Sequence, residues 1–272
     1  MSCIVRSVQL VLLLMAISPL PAAASWPKRG IPYNNVGLIQ HFNAGGSQVN
    51  WAWNWDSYMD PSFPSSYMEF VPCLWSDSGD HTGSWFNNVN NAISRGAGHI
   101  MAFNEPDACG SGQSCMSPQQ AVNAYRTYIQ PFAGRVALGA PQVSNGPNGL
   151  PWLKSFLSLC TGCQIDFVPI HWYDENVSGA LGYFYDYIGQ AYAAGGYRQL
   201  WLTEFALWHN ANEADQEYFL GQVIPWMDQQ SYIYRYTWFM CTSDNNVETQ
   251  GTLCTADGWP TNLGNAYAYQ PF

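Results

Sequence analysis

Short apolar runs recur along this chain, each broken by Gly, Pro or Asn, and most are followed by a stretch of helical composition. Val36–Asn43, Asn50–Asp56 and Glu69–Trp75 read as the first three strands. His99–Phe103 reads as the fourth and runs into Asn104-Glu105-Pro106, where a residue without an N–H must end the ladder. Arg135–Val143, Ile165–Tyr173, Gln199–Leu207 and Tyr232–Met240 complete the series. Helical composition fills Gly83–Arg95, Ser117–Phe132, Pro151–Leu159, Gly179–Ala194, Asn212–Gln230 and Leu263–Tyr269. Ser117-Pro118 supplies a capping hydroxyl and a proline at the first helical position. Glu213, Asp215 and Glu217 place acids where a helix dipole favours them.

The strand runs are apolar throughout rather than alternating, as expected of a parallel sheet covered by helices. No Pro/Ser-rich linker and no internal repeat divides the chain. Eight strands interleaved with helices point to an α/β fold, a single-domain (β/α)8 TIM barrel over residues 25–272. An open doubly wound sheet is the alternative, but no Gly-rich phosphate fingerprint follows an early strand. The least regular part is the start, where Gly45-Gly46 leaves no room for a helix after the first strand.

Composition narrows the function. Residues 1–24 have one charge, Arg6, an apolar run from Val8 to Ile17 and an Ala22-Ala23-Ala24 cleavage site, the pattern of a secretory signal peptide. A secreted product, extracellular or in a cell wall, is expected. Eight cysteines include Cys3 in the leader. Spacing suggests Cys109–Cys115, Cys160–Cys163 and Cys241–Cys254 as disulfides, with Cys73 a buried free thiol. Asn176-Val177-Ser178 is a glycosylation sequon. Net charge is −10, with only 9 Lys plus Arg, which disfavours nucleic acid, anionic membranes and acidic polysaccharides as partners. Charged residues are 10% and aromatics 16%, so rings and amides dominate the available recognition chemistry. Such a surface suits a neutral polysaccharide, because indole and phenol rings stack on sugar faces. A monomer is expected. No cofactor and no metal site is indicated, since Cys160-x-x-Cys163 lacks a second ligand pair.

Active sites of such barrels lie at the C-terminal ends of the strands. Glu105 ends the fourth strand and Glu204 lies near the end of the seventh, each after an uncharged apolar run. Carboxylates there are costly to bury without a bond or a task. Two carboxyls about 5–5.5 Å apart cleave a glycosidic bond with retention.

Five elements in order, Val71-Pro72-Cys73-Leu74-Trp75, Phe103-Asn104-Glu105-Pro106-Asp107, Leu138-Gly139-Ala140-Pro141, Phe167–Tyr173 and Trp201-Leu202-Thr203-Glu204-Phe205, resemble glycoside hydrolase family 128. These are the Asl1-like fungal cell-wall glucanases of clan A. The resemblance implies a (β/α)8 barrel and retaining hydrolysis of β-1,3-glucan; cleavage within the glucan chain is expected. It implies Glu105 as acid/base, Glu204 as nucleophile and Asn104 as the amide binding the substrate 2-hydroxyl. His171, Trp172 and Tyr173 end the sixth strand on the substrate side, and either His171 or Tyr173 would hydrogen-bond the nucleophile. Trp238 would form an aromatic floor under the sugar, and Trp53, Trp55, Trp75 and Trp208 are candidate subsite walls. Asp107 is expected to cap the loop after Glu105, and Asp174 or Asp244 to contact sugars. A non-catalytic glucan-binding wall protein and a clan A hydrolase of another neutral β-glycan are the competing readings.

Overall fold

The computed structural model describes residues 27–175, 178–208, 211–243 and 251–270. The expected leader, the sequon residues Asn176 and Val177, and Asp244 lie outside the described residues.

Eight parallel strands form the frame: β1 Arg29–Pro32, β2 Val49–Trp53, β3 Glu69–Phe70, β4 His99–Ile100, β5 Ala137–Leu138, β6 Phe167–Asp174, β7 Gln199–Leu207 and β8 Ile233–Trp238. One sheet runs β3-β2-β1-β8-β7-β6, and β4 pairs with β5. Parallel bridges Cys73↔Met101 on one side, and Gly139↔Phe167 and Val143↔Ile170 on the other, join the two. Each strand thus has a parallel neighbour on both sides, the arrangement of a TIM barrel. Helices α1 Gly79–Thr82, α2 Trp85–Ser94, α3 Pro118–Ala124, α4 Gly149–Leu159, α5 Ala180–Ala194, α6 Glu213–Gln229 and α7 Asn262–Tyr269 form the outer ring. Ser117 caps α3 through Gln120 N–H, and Asn212 and Asp215 form a capping box on α6.

The first strand departs from expectation. Val36–Ile39 is one turn of 3-10 helix, started by the Asn35 side chain accepting from Gly37 N–H. The strand lies earlier, at Arg29–Pro32. Its Arg29 is buried because it donates to Tyr236, Asp228, Tyr267 O and Gln270 O, tying α6 and α7 to the strand. Lys28 donates to the Met227, Asp228 and Gln230 carbonyls that end α6.

The core has two parts. A large outer layer packs strand faces against helices, and a smaller cluster fills the barrel itself. The alternation Trp51-x-Trp53-x-Trp55 builds that interior in levels. Trp51 meets Trp201 near the N-terminal ends of the strands, Trp53 lies above it, and Trp55 reaches the mouth. Gly30 is required here, since a Cβ on it would lie 2.3 Å from the Trp51 ring.

The disulfides are Cys109–Cys115, Cys160–Cys163 and Cys241–Cys254, and Cys73 is a buried free thiol, as the spacing predicted. Among the described residues no helix is long and apolar enough to cross a membrane.

Candidate active site

A cleft of about 940 Å3 opens at the C-terminal ends of the strands, with Glu105 and Glu204 in its floor. β7 carries Glu204 inward, paired with His171 of β6 just after a bulge at Thr203. Glu105 follows the bridge between Asn104 and Gln142 and donates its N–H to Gln142 O at 2.8 Å. Its φ is +41°, a left-handed conformation that costs a side-chain-bearing residue about 1–3 kcal/mol. Surrounding bonds hold it there. Asn104 N–H donates to Trp75 O at 2.9 Å, and Ser114 N–H to Asn104 O at 2.9 Å. The Cys109–Cys115 staple tightens this loop, and Asn104 Nδ2 donates to Gly112 O at 3.0 Å. Buried Asn104 Oδ1 keeps no protein partner among the described residues.

The two carboxylates are linked by one imidazole. His171 Nδ1 lies 2.9 Å from Glu105 Oε1 and 3.4 Å from Glu204 Oε2. One ligand-type atom from each of the three lies within 4.8 Å of the others. Such a cluster could hold a cation only if Nδ1 gave up its proton, since Nδ1–H donates to Glu105. Tyr173 Oη donates to Glu204 Oε2 at 2.6 Å, and Trp55 Nε1 to Glu204 Oε1 at 2.7 Å. Of His171 and Tyr173, it is Tyr173 that hydrogen-bonds Glu204, while His171 bonds Glu105 and lies 3.4 Å from Glu204.

Burial pushes the Glu204 carboxyl up, and its donors only partly pull it back, so it lies above the ordinary carboxylate range. Burial acts the same way on Glu105, but hydrogen bonds from His171 and Gln113 and the His171 charge outweigh it, and Glu105 lies low. Burial lowers His171, yet the two carboxylates raise it above its usual value. Burial and the neighbouring Glu204 charge push the Tyr173 phenol far up, so it remains a donor. Carboxyls this close titrate as a unit.

Strand geometry sorts the other expected residues. Trp75 lines the cleft, as do Trp55, Trp208 and Asp174. Trp172 does not. It points outward between His171 and Tyr173 and packs on Phe184 and Phe219. Trp238 likewise faces the helices, on Phe205 and Phe219, with Nε1 bonded to Gly251 O. The ring that reaches the cleft at the end of β8 is the next one, Phe239, edge-on to Trp55 and Tyr173. Trp53 is fully buried beneath Trp55 and also forms no wall. His171 is fully buried too, so it acts on the carboxylates rather than on a sugar directly. Asp107 accepts from Ser144 N–H and Oγ, fixing the loop after β5 rather than its own. The sequence reading missed Gln113, Phe239 and Asn145, all cleft residues. Phe239 shares the face of Thr237, which meets Trp53 inside the barrel, a placement that no residue type marks in the sequence. Gln113 and Asn145 sit in loops with no pattern to mark them.

Comparison with known proteins agrees with this geometry. Residues 30–267 match the model of the family described as "Glycosyl hydrolase catalytic core". Alkali-sensitive linkage protein 1 of Schizosaccharomyces pombe is 30% identical over 253 residues, covering 88% of this chain and 44% of that protein. The chain thus spans less than half of that relative. Among solved structures, a GH128 (subgroup III) curdlan-specific exo-β-1,3-glucanase from Blastomyces gilchristii, in complex with glucose, is 37% identical. It aligns over 89% of this chain and 98% of its own, with a TM-score of 0.76. A GH128 (subgroup I) endo-β-1,3-glucanase from Amycolatopsis mediterranei, in complex with laminaritriose, is 27% identical, with coverages of 89% and 98% and a TM-score of 0.72.

Proposed function

We propose that this chain, which belongs to the glycosyl hydrolase catalytic core family, is a retaining β-1,3-glucanase that uses Glu204 as nucleophile and Glu105 as acid/base. The observation that carries the reading is the approach of one carboxylate oxygen of Glu105 to one of Glu204 within 4.8 Å, in a cleft floored by aromatic rings. That spacing fits double displacement, whereas inversion needs about 6.5–9.5 Å to admit a water between carboxyl and sugar. The kinship with β-1,3-glucanases supports the substrate, and three disulfides support action outside the cell.

The division of labour follows from the partners. Glu204 is held at both oxygens, by Tyr173 and Trp55, so its lone pairs are aimed and its charge is stabilised without solvent. Glu105, at 13% exposure, is the more accessible of the pair. A sugar settling in the cleft desolvates Glu105 further and, beside the charged Glu204, raises its affinity for a proton, while Glu204 keeps its donors. His171 Nδ1 bonds Glu105 and lies 3.4 Å from Glu204, so it fixes the spacing of the pair. Glu105 then protonates the leaving oxygen as Glu204 attacks the anomeric carbon. With Glu204 esterified its charge is gone, and Glu105, now ionised, draws the proton from water in the second step. The free Asn104 Oδ1 accepts from the sugar 2-hydroxyl, a bond that strengthens as the ring flattens. Phe239 and Trp55 supply the apolar floor that Trp238 does not.

Release of reducing ends from laminarin, measured with the wild type and Glu204→Gln, tests the assignment. Hydrolysis is expected from the first and none from the second. A folded wild type that binds laminarin without releasing ends would make it a glucan-binding protein instead.

A further inference from the structure

The cleft does not stop at its own wall. Asn145, Gly146 and Tyr183 border both the cleft and a second concavity of about 500 Å3, which continues along the outer face between α4 and α5. Leu150 and Tyr187 lie within it, and Lys154 and Gln190 edge it. The ridge between the two is built rather than incidental. Asn145 Nδ2 donates to Tyr173 O and to Tyr183 Oη, both at 2.8 Å, and Asn145 Oδ1 accepts from Tyr173 N–H at 3.1 Å. Tyr183 Oη donates back to Asn145 O at 3.2 Å. The ridge is therefore pinned to the strand end whose Tyr173 holds Glu204.

The lining has amide and ammonium donors, a half-exposed phenol and short apolar stretches, with no carboxylate among the described residues. Such walls match a hydroxyl-rich neutral polymer: rings and apolar side chains meet sugar faces, and Gln190 and Lys154 meet hydroxyls. The cleft and the groove share a wall, so a chain too long for the cleft has a path into the groove without leaving the surface.

We propose that the groove between α4 and α5 is an accessory glucan-binding site that takes the continuation of the chain lying over Glu105 and Glu204. The proposal rests on the glucanase reading of the cleft. Contacts this far from the cleavage point add binding energy only for long substrates. Dependence on substrate length is thus its signature.

The test compares laminaritriose with linear β-1,3-gluco-oligosaccharides of ten or more units. Two variants are used: Ala193→Trp, which fills the exposed lip of the groove, and Lys154→Ala/Gln190→Ala, which removes its donors. Both should leave kcat/KM on laminaritriose unchanged and lower it on the long chains, on the order of tenfold. Long-chain affinity for Glu204→Gln should fall by a similar factor when the groove changes are added. Unchanged long-chain values in both variants would overturn the groove and leave the cleft reading intact. Equal losses at both lengths would also overturn it, by placing the effect in the cleft. A wild type inactive on every length would remove the glucanase reading, and the groove with it.

Discussion

A carboxylate, an imidazole and packed indoles meet twice in this barrel, once at each end. At the N-terminal ends of the strands, Glu69 accepts from His99 Nδ1 at 2.8 Å and from Arg235 at 2.6 Å. Arg235 lies 4.6 Å from the centre of the Trp201 ring. At the mouth, Glu105 and Glu204 share His171, and no Lys or Arg lines the cleft among the described residues. The difference is one permanent cation. Below, burial would push Glu69 up, but His99 and Arg235 outweigh it and hold the carboxyl at about 2, fixed in its charged form. Above, two carboxylates have only a titratable partner, so protons can redistribute. Similar residues thus make a structural plug at one end and a reactive pair at the other.

The largest expected effect breaks the mouth alone. Glu204→Gln should lower kcat on laminarin on the order of 10^4-fold or more, with thermal unfolding little changed. The corresponding change below should do the opposite. Glu69→Gln leaves Arg235 without its carboxylate partner and should cost about 3 kcal/mol at pH 7, with kcat/KM preserved. Its sign with pH follows from the depressed carboxyl. The stabilisation is present above the unfolded-state value of 4.5 and is lost as pH falls through about 2. Urea unfolding of wild type and Glu69→Gln should therefore converge across that window, and a constant gap would count against the ion pair.

Tyr173→Phe sharpens the mouth side. It removes one donor from Glu204 and should reduce kcat about 10–100-fold. Loss of that donor raises the Glu204 carboxyl further, so the acid limb of the pH–rate profile should move to higher pH. A fall in rate with an unmoved limb would restrict Tyr173 to packing. The smallest effect separates the two neighbours on β8. Trp238→Phe should cost about 1–2 kcal/mol of stability and leave KM unchanged. Phe239→Ala should raise KM. The reverse outcome would restore Trp238 as the floor under the sugar.

These contrasts also show what the sequence discloses. β6, β7, α3 and α6 were legible because long apolar runs, the Ser-Pro start of α3 and acids in the first turn of α6 act locally. Arg29–Pro32 was not, since its burial depends on Asp228, Tyr236 and the end of α7, about 200 residues away in sequence. Glu105 and Glu204 were legible because charge is rare in this chain and both end apolar strands. Trp53 faces the interior as expected but lies one level too deep, beneath Trp55, whereas Trp172 and Trp238 were misplaced for another reason. Parallel barrel strands are apolar on both faces, so hydrophobicity does not say which side an indole takes. The plug at Glu69 gave no signal either, because Glu69, His99 and Arg235 stand on three separate strands.

The central claim is that Glu105 and Glu204 act by double displacement. Proton NMR of the first products released from a linear β-1,3-gluco-oligosaccharide tests it most directly. The account predicts that the new reducing end appears as the β-anomer, with the α-anomer growing in only by mutarotation. Initial release of the α-anomer would mean a single inverting displacement and would contradict it.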